Sequence, residues 1–412
     1  MQQPVIIAGH TASFDAQGCL RPWTSWSEAL GLEMNFYQQC PVDHGYPRFV
    51  SATFLDGNWS PMPDRTDTIP ATQNGMGILS YLKFYELGGN RDKRLLQTAR
   101  AMGDYLVKEA LTPNSGRYPA FTRSTGKRDL MPLPADCGAQ ADRPYEIEPD
   151  KGGIAGYALA RLFQASGEQA YLEQGLQNAR VLAANQEDGD ACRSPWPFRA
   201  DFRNAESRGP VSGNMTYILR LYDELIAHGY SEFFAPRQTL WEWIKGFQIR
   251  NSAADGSLFA QFFEDHDTPT NRSAWAPLNL ARYLLEKREM LDSDWRADSA
   301  SLIEFVRRTF THTEFGITVC HEQDEDAQAW GGINSTYGAV LALYASATGS
   351  AALASEARQA LDFTIYSIDE SGRPRDLFKN PVPGGWQEDA HTDVVHNYVD
   401  ALRVFPEWGE AR

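Results

Sequence analysis

Short and long connections alternate along this chain, and this alternation constrains the fold more than any other feature. Helical segments come in pairs, and the two members of a pair are joined by only two or three residues, as at 88–90, 166–168 and 348–350. Between pairs the connection runs to roughly 20–40 residues, a length that is typical of functional loops. If the pairs are arranged in a ring, all the long loops emerge on one face.

The two helices of a pair differ in their hydrophobic pattern. The first is apolar almost all round, whereas the second has a single apolar face, as in Leu95, Ala99 and Met102. We therefore expect an inner layer of buried helices and an outer layer of amphipathic ones. The predicted inner helices are 75–84, 153–159, 214–225, 275–287, 335–347 and 391–403. The predicted outer helices are 91–109, 171–186, 236–248, 295–310 and 352–366.

The last inner helix has no outer partner after it. Residues 25–39 form a predicted helix that can fill this place from the N-terminal side and so close a ring. An open solenoid would need polar capping repeats, but the last helix carries Val394, Val395 and Val399. The sequence therefore predicts an all-α (α/α)6 toroid, with residues 1–412 as a single catalytic domain whose N-terminal segment closes the ring.

The second pair carries the most recognisable motif. Residues 150–162 read DKGGIAGYALARL, and they are followed by SGE at 166–168 and by Tyr171-Leu172. This motif resembles hairpins of the six-hairpin glycosidase-like superfamily. The pattern of paired helices extends that resemblance over nearly the whole chain. The resemblance implies a saccharide-binding cup lined by the long loops. That superfamily contains glycoside hydrolases, polysaccharide lyases and sugar epimerases, and the chain matches no catalytic motif of one family.

The composition argues against several classes of partner. The chain has 412 residues, a formal net charge of −16 and 42% hydrophobic residues. The acidic balance disfavours nucleic acid and anionic membranes as partners, and no apolar stretch approaches the ~20 residues of a membrane helix. Because no export signal is visible at the N-terminus, we expect a cytoplasmic protein.

Neither the cysteines nor the histidines indicate a metal site. The five cysteines are odd in number and have no CxxC spacing, so we expect free thiols rather than a disulfide framework or a zinc site. His391 and His396 do not share a helix face, and the HExxH pattern is absent. We expect no metal and no cofactor.

The long loops concentrate carboxylates beside aromatic and histidine residues. Hydrolysis of a glycosidic bond needs two carboxyl groups across the bond. We predict one from 322–324 and one from 388–389, with 148–150 as a third source. For any one of these acids the alternative is a solvated loop or a helix N-cap. The predicted catalytic residues are Glu148, Asp150, Glu322, Asp324, Glu388, Asp389 and His391.

Aromatic and basic residues in the same loops are candidates for binding the substrate. The flat face of an indole suits the apolar C–H face of a sugar ring. Arginines in the loops suit carboxylates, which points to uronic acid, although they could equally neutralise neighbouring acids. The predicted substrate-binding residues are Trp59, Asp64, Arg65, Tyr145, Arg272, Trp330, Trp386 and Asn397.

Three functions are compatible with these residues. The first is a glycoside hydrolase acting on an oligosaccharide, with uronic acid as a candidate component. The second is a polysaccharide lyase or uronate epimerase, for which the base and the neutralising groups would come from Tyr145, Tyr217, His391, Asn397 and Arg272. The third is a non-catalytic saccharide-binding protein, which the density of carboxylates disfavours.

Overall fold

The structure is a computed structural model of the chain. It describes residues 4–43, 45–47, 69–124, 145–250, 271–324, 326–374, 378 and 391–410. Twelve α-helices lie within these ranges. The inner ones are α2 (Pro70–Leu87), α4 (Pro149–Ser166), α6 (Thr216–Ala227), α8 (Trp275–Lys287), α10 (Gly331–Thr348) and α12 (His391–Val404). The outer ones are α1 (Trp26–Gln39), α3 (Lys93–Lys108), α5 (Gln169–Ala184), α7 (Phe234–Trp243), α9 (Trp295–Thr309) and α11 (Ala351–Thr364).

The inner helices form a closed ring. Each contacts the next, from α2 through α4, α6, α8 and α10 to α12, and α12 contacts α2. In α2 and α10 nearly every residue from the first turn to the fourth is buried, whereas α3 buries one face through Leu95, Ala99 and Met102. The predicted (α/α)6 toroid is therefore confirmed.

Helix α1 occupies the outer position that the last inner helix lacks. Its Trp26 indole packs edge-on against Tyr398 of α12, with ring centroids 5.0 Å apart, and its Tyr37 ring stacks with Tyr81 of α2. The Trp26 Nε1–H also donates to Asp362 Oδ1 of α11 at 2.7 Å. The N-terminal helix thus contacts both the first and the last inner helix of the ring.

Glycines set the distance between neighbouring inner helices. A Cβ atom on Gly153 of α4 would lie 2.6 Å from Cγ1 of Ile218 on α6, and one on Gly75 of α2 would lie 2.8 Å from Cγ2 of Ile154 on α4. At these contacts the backbone of one inner helix therefore packs directly against a side chain of the next inner helix. The short links also depend on glycine, since Gly167 ends α4 in the left-handed conformation with φ 75°.

Short antiparallel strands lie before α1 and in the connections between the helices. The larger groups are β7 (Glu146–Ile147), β8 (Arg199–Asp201) and β9 (Ser207–Arg208), and β10 (Thr311–Glu314), β11 (Ile317–Gln323) and β12 (Asp326–Ala329). The remaining strands are β1 (Ile6–Ile7), β2 (His10–Thr11), β3 (Ser13–Phe14), β4 (Leu20–Arg21), β5 (Val42–Asp43) and β6 (Tyr46–Pro47). The acidic segment around 322–324, expected as a loop, lies on β11 and its turn.

The four described cysteines, Cys19, Cys40, Cys192 and Cys320, are free thiols, as predicted. Cys137 lies outside the described residues. None of the helices described here has the length and apolarity that crossing a membrane requires.

We predict that Gly153→Ala destabilises the protein by about 1–3 kcal/mol, because the added methyl group overpacks the contact with Ile218. Thermal or urea unfolding measures the change. The matched control is Gly31→Ala on α1, where an added Cβ meets nothing within 4 Å. That substitution should stabilise by about 0.5–1 kcal/mol through helix propensity. Equal effects of both variants would contradict the packing argument.

A second prediction concerns Asp362, whose burial raises its pKa to about 7 despite the bonds from Trp26 and Arg358. The folded state therefore holds a proton that the unfolded state releases near pH 4, so this contribution to stability is lost as pH rises through 7. Asp362→Asn should stabilise the protein at pH 8, by up to about 4 kcal/mol, and lose that advantage near pH 4. Unfolding of wild type and variant across this pH range tests it.

The control for that measurement is Asp188→Asn, at an exposed loop position. It should leave the pH dependence of unfolding unchanged. A stability difference between Asp362→Asn and wild type that stays constant from pH 4 to pH 8 would show that Asp362 is not protonated in the folded state.

Candidate active site at the long-loop face

Every long connection leads into the N-terminal end of an inner helix, so these six ends share one face of the ring. We call it the long-loop face. Backbone N–H groups at the start of a helix carry partial positive charge, which favours carboxylates nearby. The described acids predicted as catalytic all lie at this face.

Two of the predicted clusters come together at the start of α8 and α10. The segment 271–275 lies along the segment 322–324, and the Ala274 N–H donates to the Glu322 carbonyl oxygen at 2.8 Å. In the same contact the Asp324 N–H donates to the Arg272 carbonyl oxygen at 3.0 Å. These backbone bonds fix Arg272, Glu322 and Asp324 relative to one another.

Side chains strengthen this contact. The Arg272 guanidinium holds Asp324 through two bonds, Nε to Oδ2 at 2.7 Å and Nη2 to Oδ1 at 3.0 Å. The Glu322 carboxylate accepts a hydrogen bond from Trp275 Nε1 at 2.6 Å. A half-buried carboxylate and a half-buried indole therefore meet where α8 begins. Trp275 was not among the predicted binding residues. The sequence feature that could have identified it is its position as the first residue of a predicted inner helix.

Trp330 stands at the entrance of the neighbouring helix. Its Nε1–H donates to Asp326 Oδ2 of β12 at 3.0 Å, and its carbonyl oxygen accepts from Asn334 Nδ2 at 2.8 Å. Asn334 also bonds both backbone groups of Cys320 on β11. The indole is thus held half-buried between the sheet and the start of α10.

The predicted acid Glu148 lies in a buried ion pair. Arg199 Nη2 of β8 is 3.3 Å from Glu148 Oε1, and the two side chains are 2% and 3% exposed. On the same sheet Arg208 holds Glu146 through Nε to Oε1 at 2.9 Å and Nη2 to Oε2 at 2.5 Å. These pairs tie β7 to β8 and β9, and so fix the start of α4.

Asp150 lies one residue inside α4 and is buried. Its Oδ2 accepts from Asn214 Nδ2 at 3.0 Å, just before α6 begins. Lys151 beside it is buried as well. The structure thus brings Glu148 and Asp150 together at one entrance, with Arg272, Glu322, Asp324 and Trp330 at another.

Tyr145 and Asn397 lie in different surroundings. Tyr145 is 38% exposed with φ 69°, and the Arg203 guanidinium covers one face of its ring at 3.6 Å from the centroid. Asn397 is buried inside the ring, where it donates to Ser335 Oγ at 2.8 Å and to Thr336 Oγ1 at 2.9 Å. Its carbonyl oxygen accepts from Arg282.

The other predicted site residues lie outside what the structure describes. They are Trp59, Asp64, Arg65, Trp386, Glu388, Asp389 and the side chain of His391. Among the described residues no three or more His, Cys, Asp or Glu side chains are grouped so as to hold a metal ion. His321, at the head of this acidic segment, has its pKa lowered by burial and by nearby His312, so its imidazole is neutral at pH 7.

No protein-family model matches the chain, and no curated protein matches it in sequence. Solved structures do resemble it. A D-mannose isomerase superposes with a TM-score of 0.67 at 11% identity, covering 91% of this chain and 96% of that one. A sugar epimerase from a ruminal bacterium gives 0.64 at 12% identity, with 90% and 98% covered. A family 76 glycoside hydrolase from a bovine Bacteroides thetaiotaomicron strain gives 0.63 at 12% identity, with 93% and 78% covered.

All three neighbours are (α/α)6 toroids, so the predicted resemblance to the six-hairpin glycosidase-like fold is confirmed. At these identities the likeness is one of fold. Function has to be argued from the residues of the site.

We predict that Arg199→Met destabilises the protein by about 3–5 kcal/mol, because it leaves the buried Glu148 carboxylate without its guanidinium partner. The matched control is Arg203→Met, which removes a pair with Asp201 whose arginine is 52% exposed. The control should lower the free energy of unfolding far less, because solvent screens this pair. Urea unfolding of both variants measures the difference, and similar losses would contradict a structural role for the buried pair.

Proposed function

We propose that the chain is a saccharide-converting enzyme that hydrolyses a glycosidic bond at the long-loop face, with Glu322 as one of the two reacting carboxyl groups. One observation carries the proposal. The hydrogen bond between Glu322 and Trp275 sets a half-buried carboxylate beside an indole at the entrance of the ring. An acid beside a flat aromatic surface is the combination that protonates or attacks a bound sugar.

Glu322 suits this role better than the neighbouring acid. Asp324 is held by two hydrogen bonds from Arg272, so both of its carboxylate oxygens are already bound by a guanidinium of the protein. The Trp275 N–H bond orients Glu322 without adding a full charge. Trp330, at the entrance of the next helix, supplies a second indole for sugar contact.

The second carboxyl group has two sources. Asp150 lies at the entrance of α4, which is opposite α10 in a ring of six inner helices. Glu388 and Asp389 precede α12, which neighbours α10. In each case the two carboxyl groups would approach a saccharide from different helices, as acid and base or nucleophile must.

The arginine contacts support a neutral sugar rather than a uronate. Arg199, Arg203 and Arg272, three of the loop arginines that suggested an acidic substrate, each hold a carboxylate of the protein itself. A substrate carboxylate would have to displace those partners. We therefore favour an uncharged oligosaccharide.

A second candidate is isomerisation or epimerisation of a sugar. It is favoured by the D-mannose isomerase and the sugar epimerase, which this chain covers over nearly their whole length. Such a reaction removes a carbon-bound proton and returns a proton to the same carbon in an epimerisation or to the neighbouring carbon in an isomerisation, and His391 at the start of α12 would be the base. Hydrolysis has the stronger support because a carboxylate, Glu322, and an indole, Trp275, meet through a hydrogen bond at the long-loop face.

The experiment is a screen of the full chain against neutral and uronate oligosaccharides and simple aldoses. Three readouts separate the reactions, namely reducing-end release, ultraviolet absorbance and deuterium uptake from D2O by NMR. We expect new reducing ends without absorbance or carbon-bound deuterium. Deuterium uptake without new reducing ends would overturn hydrolysis in favour of isomerisation, and rising absorbance would indicate a lyase.

On the substrate found, we predict that Glu322→Gln lowers kcat by at least about 100-fold. The amide oxygen can still accept from Trp275, so the fold and substrate affinity should persist. Glu304→Gln, on outer helix α9 with a 62% exposed side chain, is the control and should keep full activity. A folded Glu322→Gln enzyme with near-normal kcat would exclude Glu322 as a reacting group.

A further inference from the structure

A cavity of about 370 Å³ opens at the opposite end of the ring, near the short links. We call it the short-link cavity. Side chains from all six inner helices line it. They come from the middle and C-terminal turns of those helices, except on the short helix α6, where Tyr217 lies in the first turn. The residues that matter here are Lys83, Arg161, Arg220, Arg282, His396 and Asp400.

The cavity is basic although the protein is acidic. Six lysine and arginine side chains line it against two carboxylates, Glu286 and Asp400, while the whole chain carries −16. Glu86 pairs with Arg161 at 3.1 Å and with Arg403 at 2.9 Å. When Glu86 is counted together with Glu286 and Asp400, the six lysine and arginine side chains still exceed the carboxylates by three charges.

Helix dipoles explain only part of this excess. The C-terminal end of a helix attracts cations, but the effect falls off within the last turn. Arg220 lies seven residues before the end of α6, and Arg282 lies five residues before the end of α8. Both therefore stand beyond the reach of simple dipole compensation.

The inner wall of the cavity carries buried donors that lack acceptors. Arg282 donates to His396 Nε2, and because arginine can only donate, the imidazole proton must be on Nδ1. The His396 Nδ1–H and the Arg282 Nε–H are both buried, and neither has a hydrogen-bond partner among the described residues. Unsatisfied buried donors are costly, and a bound acceptor removes that cost.

Arg220 is held in place at this cavity. It pairs with Glu286 at 2.5 Å, and its guanidinium lies 5.4 Å from the Tyr283 ring centroid and 5.9 Å from that of Tyr217. The side chain is 11% exposed. Glu286 accepts from Arg220 through Nη1, in contrast to the two-bond pair between Arg272 and Asp324. The single bond restrains the guanidinium, so Arg220 loses little entropy when its other N–H groups bind a planar or tetrahedral oxyanion.

We propose that the short-link cavity binds a small molecule through its oxyanion group, a phosphate or a carboxylate, at Arg220, Arg282 and His396. The leucines and tyrosines of the wall would contact the rest of the molecule. The volume suits one small molecule. This site lies at the other end of the ring from the long-loop face and does not depend on the reaction proposed there.

The test is isothermal titration of the full chain, at low salt, with inorganic phosphate and separately with acetate. Saturable 1:1 binding of phosphate alone indicates a phosphate site, and 1:1 binding of acetate indicates a carboxylate site. D-glucose is the neutral comparison and should not compete. Absence of saturable binding by both anions would overturn the proposal.

Two variants test whether Arg220 contributes to the anion site. Arg220→Met should weaken binding of the anion by at least about tenfold. The matched control, Arg307→Met, removes an ion pair with Glu356 on the outer layer at 3.0 Å and should bind as the wild type does. Equal affinity of Arg220→Met and wild type would contradict the assignment.

Glu286→Gln gives a test of opposite sign that does not depend on removing an arginine. It frees Arg220 from its carboxylate, so anion binding should become about three- to tenfold tighter. The Glu286 side chain is 34% exposed, so the change should leave the fold intact. Unchanged or weaker binding in this variant would also contradict the proposal.

Discussion

The close approach of the inner helices is the constraint on which the rest of this structure depends. Gly153 lets α4 reach Ile218 of α6, and Gly75 lets α2 reach Ile154 of α4. Because an outer helix returns the chain between successive inner helices, the inner helices of this closed ring all run in the same direction and begin at one face. The long connections must then meet there, and so must the polar residues they carry. The position of the candidate active site follows from the packing of the core.

The same packing explains why the two ends of the ring differ. At the long-loop face, indoles donate hydrogen bonds to carboxylates, as Trp275 does to Glu322 and Trp330 does to Asp326. At the other end, the middle and last turns of the inner helices present arginine and lysine side chains around a cavity. One ring therefore offers an acidic, aromatic surface and a basic one, and these suit ligands of different chemistry.

The helices could be predicted from the sequence because burial on all sides leaves a plain apolar pattern. The predicted helix 275–287 agrees with α8 residue for residue, and the predicted helix 25–39 corresponds to α1, which begins one residue later. Strands β10 to β12 could not be predicted in this way, since they are short and depend on pairing with one another. The ion pair between Glu148 and Arg199 could not be predicted either, because Arg199 approaches Glu148 only after α5 has folded back. Loop carboxylates were recognised as a group, but which one meets an indole depends on the contact between 271–275 and 322–324.

The most direct test of this account is a crystal structure of the full chain with its saccharide substrate bound to the Glu322→Gln enzyme. The account predicts the sugar at the long-loop face, with a ring against Trp275 or Trp330 and the scissile oxygen within hydrogen-bonding distance of residue 322. A neutral saccharide bound in the short-link cavity, with the long-loop face empty, would contradict it.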